Sequence, residues 1–246
     1  MKSTHLSRTV RTLAVTVPVL LVGALAAAGP ATAAAAPAPA AFPHFDHRLH
    51  ADSFWAGYAD TGKKFTSVSG AWTAPKLNCT ATKNSSVSPW IGIDGWSSST
   101  VEQIGFDQDC ENGVASYHPW VEMYPANSIY FTDTVKAGDH ITASVSVSGT
   151  KFTLTEADTT QGWTKTYTKT GSDQLSSAEA IVEDLGNGIG PVADFGTIPF
   201  TDLIANGQPL ASAGTVNSTD LERGTTLLTK NSTLSSESFT MTWLHA

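Results

Sequence analysis

The sequence predicts an all-β fold, an antiparallel sandwich of two sheets, and three observations support this prediction. Apolar and polar residues alternate strictly over residues 141–147, which is the period of a strand with one buried face. Phe239, Met241 and Trp243 alternate with polar residues in the same way. Short strand-like runs recur with Gly, Asn and Asp between them, and no helical segments alternate with them, which favours antiparallel pairing.

The first 33 residues have the three parts of an export signal. Basic residues precede an apolar run over residues 13–28, and Ala31-Thr32-Ala33 then offers small residues to signal peptidase. We therefore expect a signal peptide over residues 1–33 and a secreted product. A retained membrane anchor is the alternative, but the apolar run is short for a span.

Residues 34–51 are predicted to be a linker or a short propeptide. They are rich in Ala and Pro and then carry His44, His47 and His50, without a periodic apolar pattern. These histidines could ligate a metal, but a solvated tract is the favoured interpretation, so no metal and no cofactor are expected. The remaining residues, 52–246, have the length of one β domain.

Two later segments define further elements of the predicted sheets. Ser148-Gly149-Thr150 separates two alternating runs and predicts a hairpin. The segment from Ser176 has the spacing of a helix-capping box, but Ile181 and Val182 prefer strands, so we predict a strand there. The triplet Asp60-Thr61-Gly62 resembles an aspartic-peptidase motif, which requires two copies; since the chain has one, we predict a hairpin turn.

The cysteine count and the charge restrict the compartment and the partners. Cys79 and Cys110 are the only cysteines, and in an exported chain a disulfide is favoured over two isolated buried thiols. With 14 basic and 22 acidic residues the net charge is −8, which argues against nucleic-acid binding. We also expect no membrane association after signal removal, and a monomer.

Four strand-like segments carry polar residues among apolar ones, and these are the candidate site. They read SPWIGIDG (88–95), TVEQIGFD (100–107), YHPWVEMYP (117–125) and AEAIVEDL (178–185). Since side chains alternate along a strand, Gln103 and Glu183 can face one cleft while Glu102 and Asp184 face away. A carboxylate set among apolar side chains has a raised pKa and can exchange protons. Structural hydrogen bonds inside a sheet are the alternative, most of all for Asp94 and Glu122.

In this order the four segments resemble the motifs of the glutamic peptidases, or eqolisins. That family carries W-V-G-I-D-G, L-Q-T-G-x-D, Y-D-A-W-Y-E-W-Y-P and A-E-x-I-x-E-D-F, and the tail PVADFGTIPFTD (191–202) is similar to a further family segment. The resemblance covers about residues 53–246. It implies a two-sheet β-sandwich of the concanavalin A-like, jelly-roll type, and protein or peptide substrates.

The resemblance also implies roles for individual residues. Gln103 and Glu183 match the catalytic pair, in which the Glu activates a water molecule and the Gln stabilises the oxyanion. This mechanism requires no metal and no covalent intermediate. The expected cleft residues are Trp90, Asp94, His118, Glu122 and Tyr124. His118 stands where fungal members have Asp, so the acidic pH optimum of the family is expected here with a different charge beside the site.

Two rival functions remain open at the level of sequence. A carbohydrate-active jelly roll could use Glu122 and Glu183 as its carboxyl pair, with tryptophans as platforms for sugars. A secreted binding module without catalytic activity is the other rival. Gln103 discriminates against the carbohydrate-active enzyme, because only the peptidase requires that amide, and the presence of both Gln103 and Glu183 disfavours the binding module.

Overall fold

Two large antiparallel sheets, formed by residues 54–186 and 190–246 of a computed structural model, pack against each other across an apolar core. The predicted signal peptide (1–33) and linker (34–51) lie outside the described residues. Within those residues, no helix is long and apolar enough to cross a membrane. The one described helix, α1 (Leu210–Ala213), has four residues.

Seventeen strands make up the described part of the chain. They are β1 (Trp55–Thr61), β2 (Ser67–Thr73), β3 (Ser85–Ile93), β4 (Val101–Glu111), β5 (Val114–Tyr124), β6 (Ile129–Tyr130), β7 (His140–Ser148), β8 (Lys151–Asp158), β9 (Trp163–Thr170), β10 (Ala178–Glu183), β11 (Thr197–Ala205), β12 (Gln208–Pro209), β13 (Thr215–Thr219), β14 (Glu222–Arg223), β15 (Thr226–Leu227), β16 (Thr229–Asn231) and β17 (Phe239–Trp243).

The strand order confirms the predicted antiparallel sandwich. Sheet A has the order β13-β1-β10-β3-β4-β5-β6, and sheet B has the order β16-β17-β11-β2-β7-β8-β9, with β12 paired to β11. A separate pair, β14-β15, lies apart from both sheets. Consecutive strands β3, β4 and β5 are neighbours in sheet A. Strand β10 lies between β1 and β3 in sheet A, although the strand that precedes it in the chain, β9, belongs to sheet B.

Aromatic side chains from both sheets fill the core between them. Trp72 of sheet B stacks on Phe106 of sheet A with ring centroids 6.0 Å apart, and contacts Phe200 at 5.6 Å. All three side chains are buried. Burying a large apolar side chain stabilises a fold by about 2–3 kcal/mol, so these contacts account for much of the attraction between the sheets.

Sheet A also has a second buried face, on the side away from this core. Trp55, Trp90, Trp120, Val101 and Ile181 form an apolar cluster there, separate from the main core. As a result, every residue of β10 and nearly every residue of β4 is buried. The polar residues predicted to form the site belong to these strands and therefore lie in an environment that water reaches poorly.

Three predicted local elements agree with the structure and one does not. The hairpin at 148–150 is confirmed, because Ser148 pairs with Lys151 between β7 and β8. The strand over 178–183 and the C-terminal strand are also confirmed. The hairpin at residues 60–62 is wrong: Asp60 is a buried residue of β1, and the chain passes from there to β2 in the other sheet. A period-two pattern cannot distinguish a link within a sheet from one between sheets.

The predicted disulfide is confirmed and fixes one end of β4. Cys79 and Cys110 are bonded, with their Cα atoms 5.3 Å apart and a sequence separation of 31. Cys110 lies on the core side of β4, and Cys79 belongs to the loop ahead of β3. Closing a loop of this size stabilises the fold by about 3 kcal/mol in the chain-entropy model.

Candidate active site

Strand register brings four of the predicted residues to the outer face of sheet A. Gln103 is opposite Glu122 in the β4–β5 pair, while Trp90 is opposite Gly105 in the β3–β4 pair. Glu183 is opposite Ser88 in the β10–β3 pair. Side chains of directly opposed residues point to the same face, and the face repeats every second residue. These four side chains therefore share the face that also carries the tryptophan cluster.

Glu183 is a buried carboxyl held by an indole donor. The indole Nε1 of Trp90 donates to Glu183 Oε2 at 2.9 Å. Burial raises the pKa of Glu183 well above its usual value, the nearby Glu122 carboxyl raises it further, and the Trp90 and Trp55 indoles oppose the shift. The group therefore holds its proton strongly, while the fixed Trp90 donor can still stabilise its anion.

Gln103 and Glu122 form a second polar pair on this face. Gln103 Nε2 donates to Glu122 Oε2 at 2.5 Å, and Ser128 Oγ donates to Glu122 Oε1 at 3.2 Å. Burial raises the pKa of Glu122 to about 7, against the effect of these two hydrogen bonds. The Gln103 carbonyl oxygen, Oε1, is buried and has no hydrogen-bond partner. An unpaired buried carbonyl of this kind costs about 1–3 kcal/mol, and a water molecule or a substrate N–H would satisfy it.

Asp107 is a site residue that the sequence analysis did not single out. Its carboxylate accepts from Ser88 Oγ at 2.9 Å and from the hydroxyl of Tyr130 at 2.6 Å. Burial raises its pKa to about 6. Strand periodicity could have identified it, because Asp107 follows Gln103 by four residues on one strand and therefore shares its face. Tyr130, in the two-residue strand β6, had no comparable signal.

Asp94 lies at the edge of this arrangement. It follows the last residue of β3 with a φ of +69°, a left-handed conformation that Asp tolerates better than most residues. Its carboxylate accepts hydrogen bonds from the backbone N–H groups of Leu175 and Ser176, both at 2.7 Å. The carboxylate therefore holds the loop that leads into β10. The predicted contact of Asp94 with substrate stays a prediction, and this geometry does not favour it.

His118 and Tyr124 flank the buried residues on β5. His118 is opposite Asp107, and its Nε2 lies 3.9 Å from an oxygen of Asp109. Burial lowers the pKa of His118, so the ring is more often neutral than a free histidine at the same pH. Tyr124 is partly buried and packs against the tryptophan cluster. Their predicted role in substrate binding stays a prediction.

Glycines make the close packing of this face possible. A Cβ atom added to Gly105 would lie 2.7 Å from Trp90 Cβ, and one added to Gly92 would lie 2.9 Å from the Trp90 ring and 3.2 Å from Gln103 Cβ. Both approaches are closer than carbon atoms tolerate. The glycines in the IGIDG and EQIGFD segments therefore let Trp90 lie between Gln103 and Glu183.

The face as a whole is suited to proton transfer. It holds several carboxyls whose pKa values are raised by burial, indole and amide donors, and an unpaired carbonyl oxygen. In the described ranges, 54–186 and 190–246, no group of three His, Cys, Asp or Glu side chains has the geometry of a metal site.

Comparisons with known proteins point to one family. The Peptidase A4 family model matches residues 53–243. Aspergillopepsin-2 of Aspergillus niger is 30% identical over 220 residues, 78% of this chain and 78% of that protein. Scytalido-glutamic peptidase, crystallised with a peptide-based transition state analog, has a TM-score of 0.67 and 26% identity over 77% of this chain and 98% of its own.

A second solved structure agrees with the first. Aspergilloglutamic peptidase from Aspergillus niger has a TM-score of 0.55 and is 32% identical, over 65% of this chain and 99% of its own. The similarity therefore extends across both sheets and includes all four motif segments.

Proposed function

This chain belongs to the Peptidase A4 family of glutamic peptidases, and on that premise we propose that it is a secreted endopeptidase in which Glu183 and Gln103 activate water at acidic pH. The observation that carries the proposal is the shared face of sheet A. Glu183 lies there as a buried carboxyl with an indole donor, and Gln103 as a buried amide with an unpaired carbonyl oxygen. A glycosidase has no use for that amide.

The proposed reaction needs only these two side chains and one water molecule. The Gln103 carbonyl oxygen accepts a hydrogen bond from the water. The ionised form of Glu183, which the Trp90 indole donor stabilises, takes a proton as the water oxygen attacks the peptide carbonyl carbon. The second N–H of the Gln103 amide, the one not given to Glu122, stabilises the oxyanion that forms. Glu183 then returns the proton to the amide nitrogen, and the C–N bond breaks.

The neighbours of Glu183 limit the proposed activity on the alkaline side. Glu122 and Asp107 have pKa values raised to about 7 and about 6, so both are neutral in acid and both become anions as the pH approaches neutrality. Negative charge on these groups would repel the developing oxyanion and raise the pKa of Glu183 further. We therefore expect the alkaline limb of the activity profile to fall between about pH 6 and 7.

Substrate would lie across the tryptophan-lined face, with Trp90 and Tyr124 as apolar contacts and His118 at the side of Asp107. The anionic charge of the chain and its export-like first 33 residues support secretion of the product. The proposed partners of this chain are protein or peptide substrates.

The test is digestion of denatured haemoglobin by the purified protein from pH 2 to 8, with pepstatin and a chelator in parallel. We expect acid-range cleavage that resists both inhibitors and is lost in Glu183→Gln and in Gln103→Ala. A folded protein that cleaves no protein or peptide at any pH would contradict the proposal. Cleavage that persists in both variants would contradict the catalytic pair but not the peptidase activity.

A further inference from the structure

The outer face of sheet A continues past Asp107 into a cleft that contains the carboxyls of Asp109 and Glu111. This acidic cleft has a volume of about 340 Å³ and is lined by Asn84, Ser86, Asp109, Glu111 and Leu185, among others. Asp109 is opposite Ser86, two residues along β3 from the Ser88 that is opposite Glu183. With strands about 4.8 Å apart and a rise of about 3.3 Å per residue, the backbones of Asp109 and Glu183 lie roughly 12 Å apart.

Asp109 is a buried carboxyl with an unsatisfied oxygen. It is 5% exposed, and its Oδ1 has no hydrogen-bond partner. Oδ2 lies 3.9 Å from His118 Nε2, which is beyond hydrogen-bonding distance, and the contact is an ion pair only when His118 is protonated. Oδ1 therefore lacks a donor that a ligand could supply.

The other residues of the cleft add negative charge and no positive charge. Glu111 is exposed at the hairpin end of β4, on the same face as Asp109. In the part of the chain that the structure describes, neither carboxyl is paired with a Lys or Arg. Arg223 donates to the carbonyl of Gly190, which lines the cleft, but its guanidinium is already paired with Asp184 at 3.6 Å. The disulfide at Cys110 anchors the strand between the two carboxyls.

We propose that the acidic cleft is a specificity subsite that binds a basic side chain of the peptide substrate, with Asp109 as the carboxylate that receives it. The inference rests on the proposed peptidase function. A peptide lying across the face from Glu183 would bring its third or fourth residue over Asp109, given a rise of about 3.3 Å per residue. The N–H groups of Lys or Arg would satisfy Oδ1, and Glu111 would attract the charge at the mouth of the cleft.

The preference for a basic residue should depend on pH. Burial, Asp107 and Glu111 raise the pKa of Asp109 to about 7, so the carboxyl is largely neutral in acid and gains charge toward neutrality. The groups that face it are Asp107 and Glu111 on its own strand and His118 on β5, while Asn84 and Ser86 are uncharged. The ratio of kcat/KM for a Lys peptide to kcat/KM for a peptide with a neutral residue is measured on the same enzyme. Because ionisation of Glu183 affects both values equally, the pH dependence of this ratio reflects only the groups near Asp109.

The experiment uses quenched fluorescent peptides that are identical except for one position, which carries Lys or norleucine. That position is moved from four residues before to four residues after the scissile bond, and kcat/KM is measured at pH 4, 5 and 6. We expect one position at which Lys is preferred, by about tenfold at pH 6, as for one charge-assisted contact, and less at pH 4. In Asp109→Asn the preference should disappear, so that kcat/KM for the Lys peptide and kcat/KM for the norleucine peptide become equal within about twofold.

The controls separate this inference from the peptidase function. Glu111→Gln should reduce the preference less than Asp109→Asn does. No Lys preference at any position in the native protein, or one that survives in Asp109→Asn, would overturn the subsite. If the native protein cleaves none of the peptides, the proposed function fails instead. Binding of Ca²⁺ by calorimetry that is lost in Asp109→Asn, without a Lys preference, would also overturn it. The Lys preference of the native protein is measured without any variant, so this part of the test does not depend on whether a variant folds.

Discussion

The two sheets bury acidic side chains of the same type in different ways. Glu156 on β8 of sheet B is fully buried, points into the core beside Leu154, and has no hydrogen-bond partner at either oxygen. Glu183 on β10 of sheet A is 3% exposed, lies on the outer face, and accepts a hydrogen bond from the Trp90 indole. Burial raises the pKa of both carboxyls well above its usual value. A raised pKa therefore does not distinguish the proposed catalytic carboxyl from a core carboxyl, whereas the hydrogen-bond donor does.

The outer faces of the two sheets differ in the same sense. In strand β9 of sheet B every second residue is a threonine, and the side chains of these threonines are exposed. The strands β4 and β10 of sheet A are buried on both faces. Only sheet A can thus exclude water from a reacting group, which strengthens its electrostatic interactions.

The largest expected effect distinguishes the two buried glutamates. Glu183→Gln should lower kcat about 10³-fold, because the amide cannot exchange the proton, a range typical for loss of a general acid–base. Glu156→Gln makes the same chemical change in sheet B and should leave kcat within about twofold. Initial rates on a protein substrate at acidic pH, with circular dichroism as the folding control, measure both. A folded Glu156→Gln protein without activity would end the comparison.

A second comparison uses the two glutamines of β4, which face opposite sides of sheet A. Gln103→Leu removes the proposed oxyanion donor and should lower kcat by about 10²-fold. Gln108→Leu removes an amide whose oxygen and nitrogen are both buried without partners, so stability should rise by about 1 kcal/mol with kcat unchanged. Rates and urea unfolding of the two variants provide the measurement. Equal losses of activity would mean that the amide face is irrelevant.

The disulfide should contribute to stability and little to chemistry. Replacing Cys79 and Cys110 together by Ser should reduce the free energy of unfolding by about 2–4 kcal/mol. The bonded Cys110 lies on the core side of β4, seven residues from Gln103, so kcat at 25 °C should change by less than about threefold. A large loss of kcat in a protein that remains folded would show that the bond positions the outer face.

The smallest effect concerns stability as a function of pH. The folded-state pKa of Glu156 is raised above its ordinary value of 4.5, so the folded state retains a proton that the unfolded state releases. The stabilisation is complete below that ordinary value and declines as the pH rises toward the folded-state pKa. Unfolding free energy should therefore fall from pH 5 to pH 7, and Glu156→Gln should reduce that slope by up to about 1.4 kcal/mol per pH unit.

Calorimetry or urea unfolding at pH 4, 5, 6 and 7 gives both slopes. If the native and Glu156→Gln slopes coincide, the carboxyl titrates normally and the burial argument for sheet B is wrong.

The sequence was most informative where strands have one buried face. Alternation over 141–147 predicted β7, and the parity argument correctly separated Gln103 from Glu102, which lies on the core side of β4 opposite Ile93. The period-two signal fails along β4 itself, because Glu102, Gln103, Asp107, Gln108 and Asp109 are all buried. Polar residues on both faces read as exposed unless the covering aromatic cluster is known.

Other features depend on contacts that a linear pattern does not contain. The use of Asp94 to hold residues 175–176 results from a long-range approach, as does the position of Tyr130 beside Asp107. The turn predicted at residues 60–62 was wrong for a related reason, since the partner of β1 is β10 rather than the strand that follows it. Strand pairing between distant segments sets all three.

The start of β1 has a practical consequence for handling the protein. Trp55 is paired with Glu183, and the carbonyl of Phe54 accepts a hydrogen bond from the Asp184 N–H at 2.7 Å. Any affinity tag or fusion partner joined just ahead of Phe54 would therefore begin beside Glu183, the carboxyl proposed to act on the substrate. The last residues, Leu244–Ala246, follow β17 of the other sheet and are exposed. Purification handles and surface-attachment chemistry belong at that end of the chain.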